Sequence, residues 1–350
     1  MSRIGIEVYV LGGVSLALSL ALTFLVRKFA LSQGLIDVPN ERSSHRHPTP
    51  RAGGIAIVVT ATAAFSVLLA LHRLEFAVFA ALAGGVIVAA VGFVDDRYGL
   101  PAVVRLAAHA LAALWALAWL GGLPPVRLGD HLVASGAGGV VLGALGIIWV
   151  LNLFNFMDGI DGIAASEGAF VAWGAVAVLT ASAPLASGVT AAALILGAAC
   201  LGFLRWNWSP ARIFMGDVGS GYIGYVIAVL ALAASRDEPV ALPVWLTLGG
   251  VFFADATVTL VRRAGRGERL HEAHRTHAYQ WLSRKWGSHG RVTWAVLAVN
   301  LIWLLPCAYL ETVFPQFAVL IAAIALAVLA AAALGCGAGR REPKPAALED

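Results

Sequence analysis

The sequence predicts an all-α polytopic membrane protein of about eleven transmembrane helices, and three observations predict it. Of the 350 residues, 60% are hydrophobic and only 13% are charged, where a soluble domain is about 25% charged. Residues 8–26, 52–71, 76–94 and 132–157 contain no Asp, Glu, Lys or Arg, and about 20 apolar residues suffice for one membrane-spanning helix. All but four of the 24 Lys and Arg residues fall on alternate connections of the resulting helix series.

The helices are expected, in order, at 5–30, 53–71, 75–94, 101–121, 135–155, 162–181, 185–205, 218–235, 240–263, 292–311 and 313–335. The first run is too long for a signal peptide and lacks its small-residue cleavage pattern, so it reads as a helix. The uncharged stretch 168–204 is too long for one span and is split at "ASAPLASG". Two polar segments interrupt the series. Residues 32–51 carry three prolines and read as a loop, and residues 262–291 are rich in Arg and His. Residues 1–336 read as a single membrane domain, and 337–350 as a disordered cytoplasmic tail.

The four outlying basic residues are Arg3, Arg73, Arg127 and Arg236. By the positive-inside rule the other face is cytoplasmic. The N-terminus then lies outside, and the tail with Arg340, Arg341 and Lys344 lies inside. The net charge of +4 is this topological signal, and no nucleic-acid partner is expected. Cys200, Cys307 and Cys336 lie in apolar runs and form neither a disulfide framework nor a metal site.

Asp95, Asp96, Asp158, Asp161 and Asp217 all fall at or beside membrane ends on the basic face. In "VGFVDDRYGLP" an acid pair stands where the third helix should end. It is either a solvated pair beside Arg97 or a carboxylate pair that meets a cation or takes a proton. In "NLFNFMDGIDG", Asn152, Asn155 and Asp158 share a broad helical face. Gly159 and Gly162 invite a break that returns Asp161 to the same place. The plainer alternative makes Asp161 the N-cap of the sixth helix. In "WNWSPARIFMGDVGSGYIG", Asp217 can cap the eighth helix, while the glycines around it allow a phosphate close to a helix N-terminus. Phe214 can stack on a base or plug the core. In "RRAGRGERLHEAHRTHAYQWL", His271, His274 and His277 could form a zinc site, but Arg and His together suit phosphate oxygens better. Asp255 sits inside the ninth expected helix. It is a structural ion pair with Arg262, seven residues on, or a functional intramembrane acid.

Taken together, these motifs resemble the polyprenyl-phosphate N-acetylhexosamine-1-phosphate transferase superfamily. The resemblance runs from "PNERSSHRHPTPRAGG" through "DD", "NFMDGIDG" and "SPARIFMGDVGS" to "HRTHAYQ", in that order. It is nearest to the bacterial branch that initiates O-antigen and other lipid-linked oligosaccharides on UDP-linked N-acetylfucosamine, N-acetylquinovosamine or N-acetylglucosamine. "RSSH" and the spaced "HEAHRTH" depart from the muropeptide branch. The resemblance implies that undecaprenyl phosphate attacks the β-phosphorus of a UDP-N-acetylhexosamine in the bacterial inner membrane. That gives undecaprenyl-pyrophosphoryl-sugar and UMP, with Mg²⁺ required and Mn²⁺ as its substitute. It implies Asp217 as metal ligand, Asp95 as the group that deprotonates or orients the lipid phosphate, and Asp96 as its support or as a second group on the metal. Asn155, Asp158, Asp161 and Phe214 would surround the uridine. Arg269, His274 and His277 would hold the pyrophosphate or sugar. His45 and Arg51 would line the mouth, and Asn207 falls in a family motif. Helix packing also allows a homodimer.

Two rivals remain at this stage. An intramembrane Mg²⁺-dependent prenyltransferase needs a second spaced Asp motif, and "VDD" and "GD" stand instead. An ion or proton transporter built on Asp255 needs acids near the bilayer midplane, whereas most acids here lie at one interface.

Overall fold

The computed structural model describes residues 5–39, 47–134, 136, 138–182, 187–238, 241–269 and 274–341. His45 and His271 lie outside them. The chain is a helix bundle built around one helix, α8 (Asp217–Asp237). Every residue of α8 from Val218 to Ser235 is buried. Its sequence explains this, because small and apolar residues cover all its faces and leave no polar stripe for solvent. Helices α3 (Phe76–Tyr98) and α5 (Gly138–Met157) pack on it most closely. Outside them, α4 (Ala102–Leu120) packs on α3 and α5.

On the other flank, α1 (Ile6–Ser32) and α2 (Ile55–Ala70) pack on α7 (Ser187–Asn207), which packs on α6 (Ile163–Ser182). Two short antiparallel hairpins decorate the bundle. Strand β1 (Ile36–Asp37) pairs with β2 (Thr49–Pro50), and β3 (Val126–Leu128) pairs with β4 (His131–Val133).

The remaining third departs from simple spans. The ninth expected helix is broken in two, α9 (Ala241–Leu248) and α10 (Gly250–Ala264), bent by 72° at Gly249. A glycine pair at the break removes the side chains that would stiffen the turn. Residues 278–286, read as part of a polar segment, form a helix, α11 (Ala278–Trp286). The tenth expected helix starts three residues early. It runs as α12 (His289–Val299), a π-helical turn (Asn300–Leu304) and α13 (Leu305–Val313). Pro306, which has no N–H to donate, follows the wide turn. Last comes α14 (Ala318–Gly335), packed on α10 and α13.

Among the described residues, nine helices are long and apolar enough to cross a membrane, or ten with the bent pair taken as one. The 16-residue α2 is apolar but shorter. The expected count of eleven therefore stands at nine or ten spans plus a short helix. The first residues of the expected tail are ordered. Arg262 donates to the Ala338 carbonyl at 2.6 Å, and the Gly339 N–H donates to Thr276 at 2.7 Å.

Candidate active site

The site lies at one end of the bundle and is built from four chain segments. Helix α3 does not stop at residue 94 but runs to Tyr98, where Gly99, at φ 68°, terminates it. Asp95 and Asp96 are thus helical neighbours about 100° apart, which turns them toward different partners. Asp95 faces α4. Its Oδ2 accepts from Arg105 Nη1 at 2.7 Å, and its Oδ1 from the Leu100 N–H at 2.5 Å. Asp96 faces inward and is buried. Its Oδ1 accepts from Arg51 Nη2 at 2.5 Å, and its Oδ2 from the Val218 N–H at 3.3 Å.

Asp217 is the first residue of α8 but not its cap. Gly216, at φ 75°, takes the N-cap place, and no side chain caps the helix. The Asp217 carboxylate instead stands 3.8 Å from Arg105 Nη1. Arg105 thereby bridges Asp95 and Asp217. Close backbone approach makes this possible. A Cβ on Gly92 of α3 would lie 2.6 Å from the Asp217 carbonyl oxygen, so only glycine lets α3 seat against the start of α8. The segment after β2 is laced to the same loop. The Phe214 N–H donates to the Pro50 carbonyl at 2.8 Å, and the Gly53 and Gly54 N–H groups donate to Phe214 and Met215 at 2.9 Å.

The "NFMDGIDG" stretch supplies the third wall. Helix α5 ends at Met157, and residues 158–162 form a loop. Asn155 Nδ2 donates to Ser220 Oγ at 3.3 Å. Asn152 turns elsewhere and donates to the Ile148 carbonyl at 2.7 Å. Asp161 does not serve α6. Its Oδ1 lies 3.2 Å from His289 Nδ1, and its Oδ2 accepts the Ala211 N–H at 3.1 Å. Asn207 ties this loop to the next. Its Oδ1 accepts the Gly162 N–H at 3.0 Å, and its Nδ2 donates to the Ile213 carbonyl at 2.9 Å. Burial raises the Asp161 carboxyl, but the contacts with His289, Ala211 and Ser209 outweigh it and hold the group below its ordinary value. Asp158 is the opposite case. Burial, and then the charges of Asp217, Asp96 and Asp161, push its carboxyl well above the usual range.

These groups converge on a cavity of about 240 Å³. The carboxylates of Asp37, Asp96, Asp158, Asp161 and Asp217 line it, with Arg51, Asn155, Asn207, Phe214, Gln280 and His289. A second cavity, of about 610 Å³, adjoins it through Asp161, Phe214 and His289 and carries His47, Arg275 and Arg284. Asp95 lies beside the first cavity, in a crevice that Asp217 and Asn155 also line. Among the described residues no three His, Cys, Asp or Glu groups form a ready metal cage. Mg²⁺ does not need one, since one or two carboxylates, waters and substrate phosphates suffice. Asp217, with either Asp96 or Asp158, would supply the carboxylate oxygens for such a cation.

The basic loop is placed differently from expectation. Arg269, His274 and His277 line neither cavity. His277 is buried and stacks between His274, at 4.9 Å, and Tyr279, at 5.6 Å. Burial, and then the charges of His277 and Arg263, lower His274 to about 3, so it is neutral near pH 7. Asp255 explains the arrangement. Its carboxylate accepts the Ala278 N–H at 2.8 Å, the Tyr279 N–H at 3.0 Å and Thr259 Oγ1 at 3.1 Å, with His277 Nδ1 at 3.3 Å. It anchors the start of α11, where helical N–H groups lack partners. The expected Asp255–Arg262 ion pair is absent among the described contacts, since Arg262 turns to Ala338. Anchored this way, α11 sends Tyr279 Oη to the Phe156 carbonyl at 3.0 Å and brings Gln280 to the cavity.

Residues 78–235 match glycosyl transferase family 4. The decaprenyl-phosphate N-acetylglucosaminephosphotransferase of Mycobacterium tuberculosis is 31% identical over 297 residues, spanning 76% of this chain and 73% of that relative. The chain belongs to glycosyl transferase family 4. The probable undecaprenyl-phosphate N-acetylglucosaminyl 1-phosphate transferase of Bacillus subtilis is 29% identical over 297 residues, spanning 83% of the chain and 80% of the relative. The undecaprenyl-phosphate alpha-N-acetylglucosaminyl 1-phosphate transferase of Yersinia pestis is 28% identical over 281 residues, spanning 76% and 74%. These relatives agree with the polyprenyl-phosphate N-acetylhexosamine-1-phosphate transferase superfamily that the motifs resemble. The family 4 match contains Asp95, Asp96, Asn155, Asp158, Asp161, Asn207, Phe214 and Asp217. It also contains Arg105, which sequence reasoning missed although it is the only charged residue of α4. Asp37, Gln280 and His289 were missed too, and only "GSHG" at a helix start hinted at the last.

Proposed function

We propose that this family 4 protein transfers N-acetylhexosamine-1-phosphate from a UDP-sugar to undecaprenyl phosphate, releasing UMP. The observation that carries the reading is the meeting of Asp96, Asp158 and Asp217 in one cavity, with the Asp95–Arg105 pair beside it. UDP-N-acetylglucosamine is the donor we favour, because the relatives above are named for N-acetylglucosamine phosphate transfer.

Phosphoryl transfer is mostly positioning and charge neutralisation. An oxygen of the lipid phosphate attacks the β-phosphorus, the bond to the bridging α,β-oxygen breaks, and UMP leaves with that oxygen. Asp95, oriented by Arg105 and Leu100, takes the proton of the lipid phosphate or orients it. Arg51 and the Val218 N–H hold Asp96 toward the cavity. Phe214 and Asn155 border the nucleotide. Mg²⁺, when bound at Asp217 with Asp96 or Asp158, supplies neutralisation of the diphosphate charge. The basic-residue asymmetry supports a cytoplasmic position for this end of the bundle, and the resemblance supports a bacterial inner membrane. The product would initiate O-antigen or another cell-surface polysaccharide.

Membranes containing the protein, given radiolabelled UDP-N-acetylglucosamine, undecaprenyl phosphate and Mg²⁺, should form labelled lipid and release UMP. EDTA should abolish the reaction, and Asp217→Asn and Asp95→Asn should each lower kcat by at least about a hundredfold, as loss of one charge-stabilising group does. Full activity in EDTA would remove the metal role, and an active Asp217→Asn would remove its ligand.

A further inference from the structure

We propose that His289 is a donor-binding residue that reads the nucleoside end of the nucleotide-sugar, and that Asp161 acts through it as a positioning residue. This inference rests on the transferase reading above. Three residues line both cavities, Asp161, Phe214 and His289, so His289 stands where the two meet. It opens α12, and its Nδ1 lies 3.2 Å from Asp161 Oδ1. The other Asp161 oxygen accepts the Ala211 N–H, and Thr293, one turn along α12, donates to the Asp161 carbonyl at 3.0 Å. Asp161 therefore has both carboxylate oxygens engaged by protein groups. What it does is fix a ring. His289 Nδ1 also lies 3.4 Å from the Asp161 N–H, so the ring is held on one edge by both the carboxylate and the backbone of Asp161, and its Nε2 lies on the opposite edge.

The chemistry of the two cavities says which part of the donor meets that edge. The carboxylates of Asp96, Asp158 and Asp217 gather in the first cavity, where a diphosphate and its cation belong. The junction is bordered by the ring of Phe214 and by the imidazole of His289. A flat heteroaromatic base on a ribose suits that pair, and a saturated sugar gains less from an aromatic face.

Asparagine can replace the Nδ1 contact with Asp161 but does not reach the position of Nε2, which glutamine does. Purified full-length protein in detergent with Mg²⁺ should be titrated with UMP and with UDP-N-acetylglucosamine, and assayed with undecaprenyl phosphate. His289→Asn should weaken UMP binding about tenfold and raise the donor KM by a similar factor, the range of one polar contact. Its kcat and lipid KM should stay within about twofold. His289→Gln should stay within about threefold of the wild type, and Asp161→Asn added to His289→Asn should give no further loss. Unchanged UMP binding in His289→Asn overturns the proposal. So does rescue by Asn but not Gln, which marks a purely structural latch, and so does a loss confined to UDP-N-acetylglucosamine, which moves the contact to the sugar. If the wild type binds no UMP, this inference and the transferase reading fall together. If the wild type binds and turns over while His289→Asn matches it, the inference falls alone.

Discussion

At Asp158 a carboxyl group is pushed up by burial and then by the charges of Asp217, Asp96 and Asp161. A group raised on folding destabilises the folded state once the pH exceeds its unfolded value, near about 4. Asp158→Asn should therefore raise the unfolding midpoint of the metal-free protein in detergent at pH 7, by the equivalent of about 1 kcal/mol. The gain should shrink as the pH falls toward 4 and the wild-type carboxyl takes up its proton. Bound Mg²⁺ should narrow it too, because the cation relieves the same repulsion. A variant less stable than wild type at pH 7 would contradict this account of the residue. Asp158 was legible from its motif. Arg105 was not, because an arginine beside a membrane end reads first as topology. Its role came from a 2.7 Å contact across two helices.

At the scale of elements, the hardest part to read was the region from α9 to α13. Helix α11 was hidden in a basic segment whose composition reads as solvated loop. Its order depends on Asp255, 22 residues before His277, which no local signal connects to it. The long apolar helices were legible, since length and hydropathy settle them, but the 72° bend at Gly249 was not. A second buried pair holds α6 to the π-helical turn. Asn300 Nδ2 donates to Glu167 Oε2 at 2.6 Å, and both residues are fully buried. Removing one partner strands the other, while removing both can be nearly neutral. Asn300→Leu should thus lower stability by about 2 kcal/mol, measured by thermal unfolding in detergent. The double variant Glu167→Leu/Asn300→Leu should recover most of the loss. A double variant as unstable as the sum of two singles would show that the pair has no coupling.

Across the whole molecule, the carboxylates that line the site gather at one end of the bundle, and most basic residues are expected at that same end. The hairpin of β3 and β4 should face the opposite compartment. Single cysteines at two exposed positions test this in cells, Val38 beside the site and Leu128 in the hairpin. A membrane-impermeant thiol reagent should label Leu128→Cys in intact cells and Val38→Cys only after permeabilisation, and the reverse pattern would invert the topology. The architecture was legible in the sequence because lipid allows few solutions for so many apolar runs. The site was legible where acids and amides interrupt apolar runs near glycines, and its lining by Gln280 and His289 needed the fold.

The central claim is that this site moves a sugar together with its phosphate. Donor labelled at the β-phosphorus of UDP-N-acetylglucosamine, incubated with purified protein, undecaprenyl phosphate and Mg²⁺, tests it most directly. The account predicts label in the lipid product and one unlabelled UMP released per lipid formed. Label released as UDP, with the sugar alone on the lipid, would contradict it.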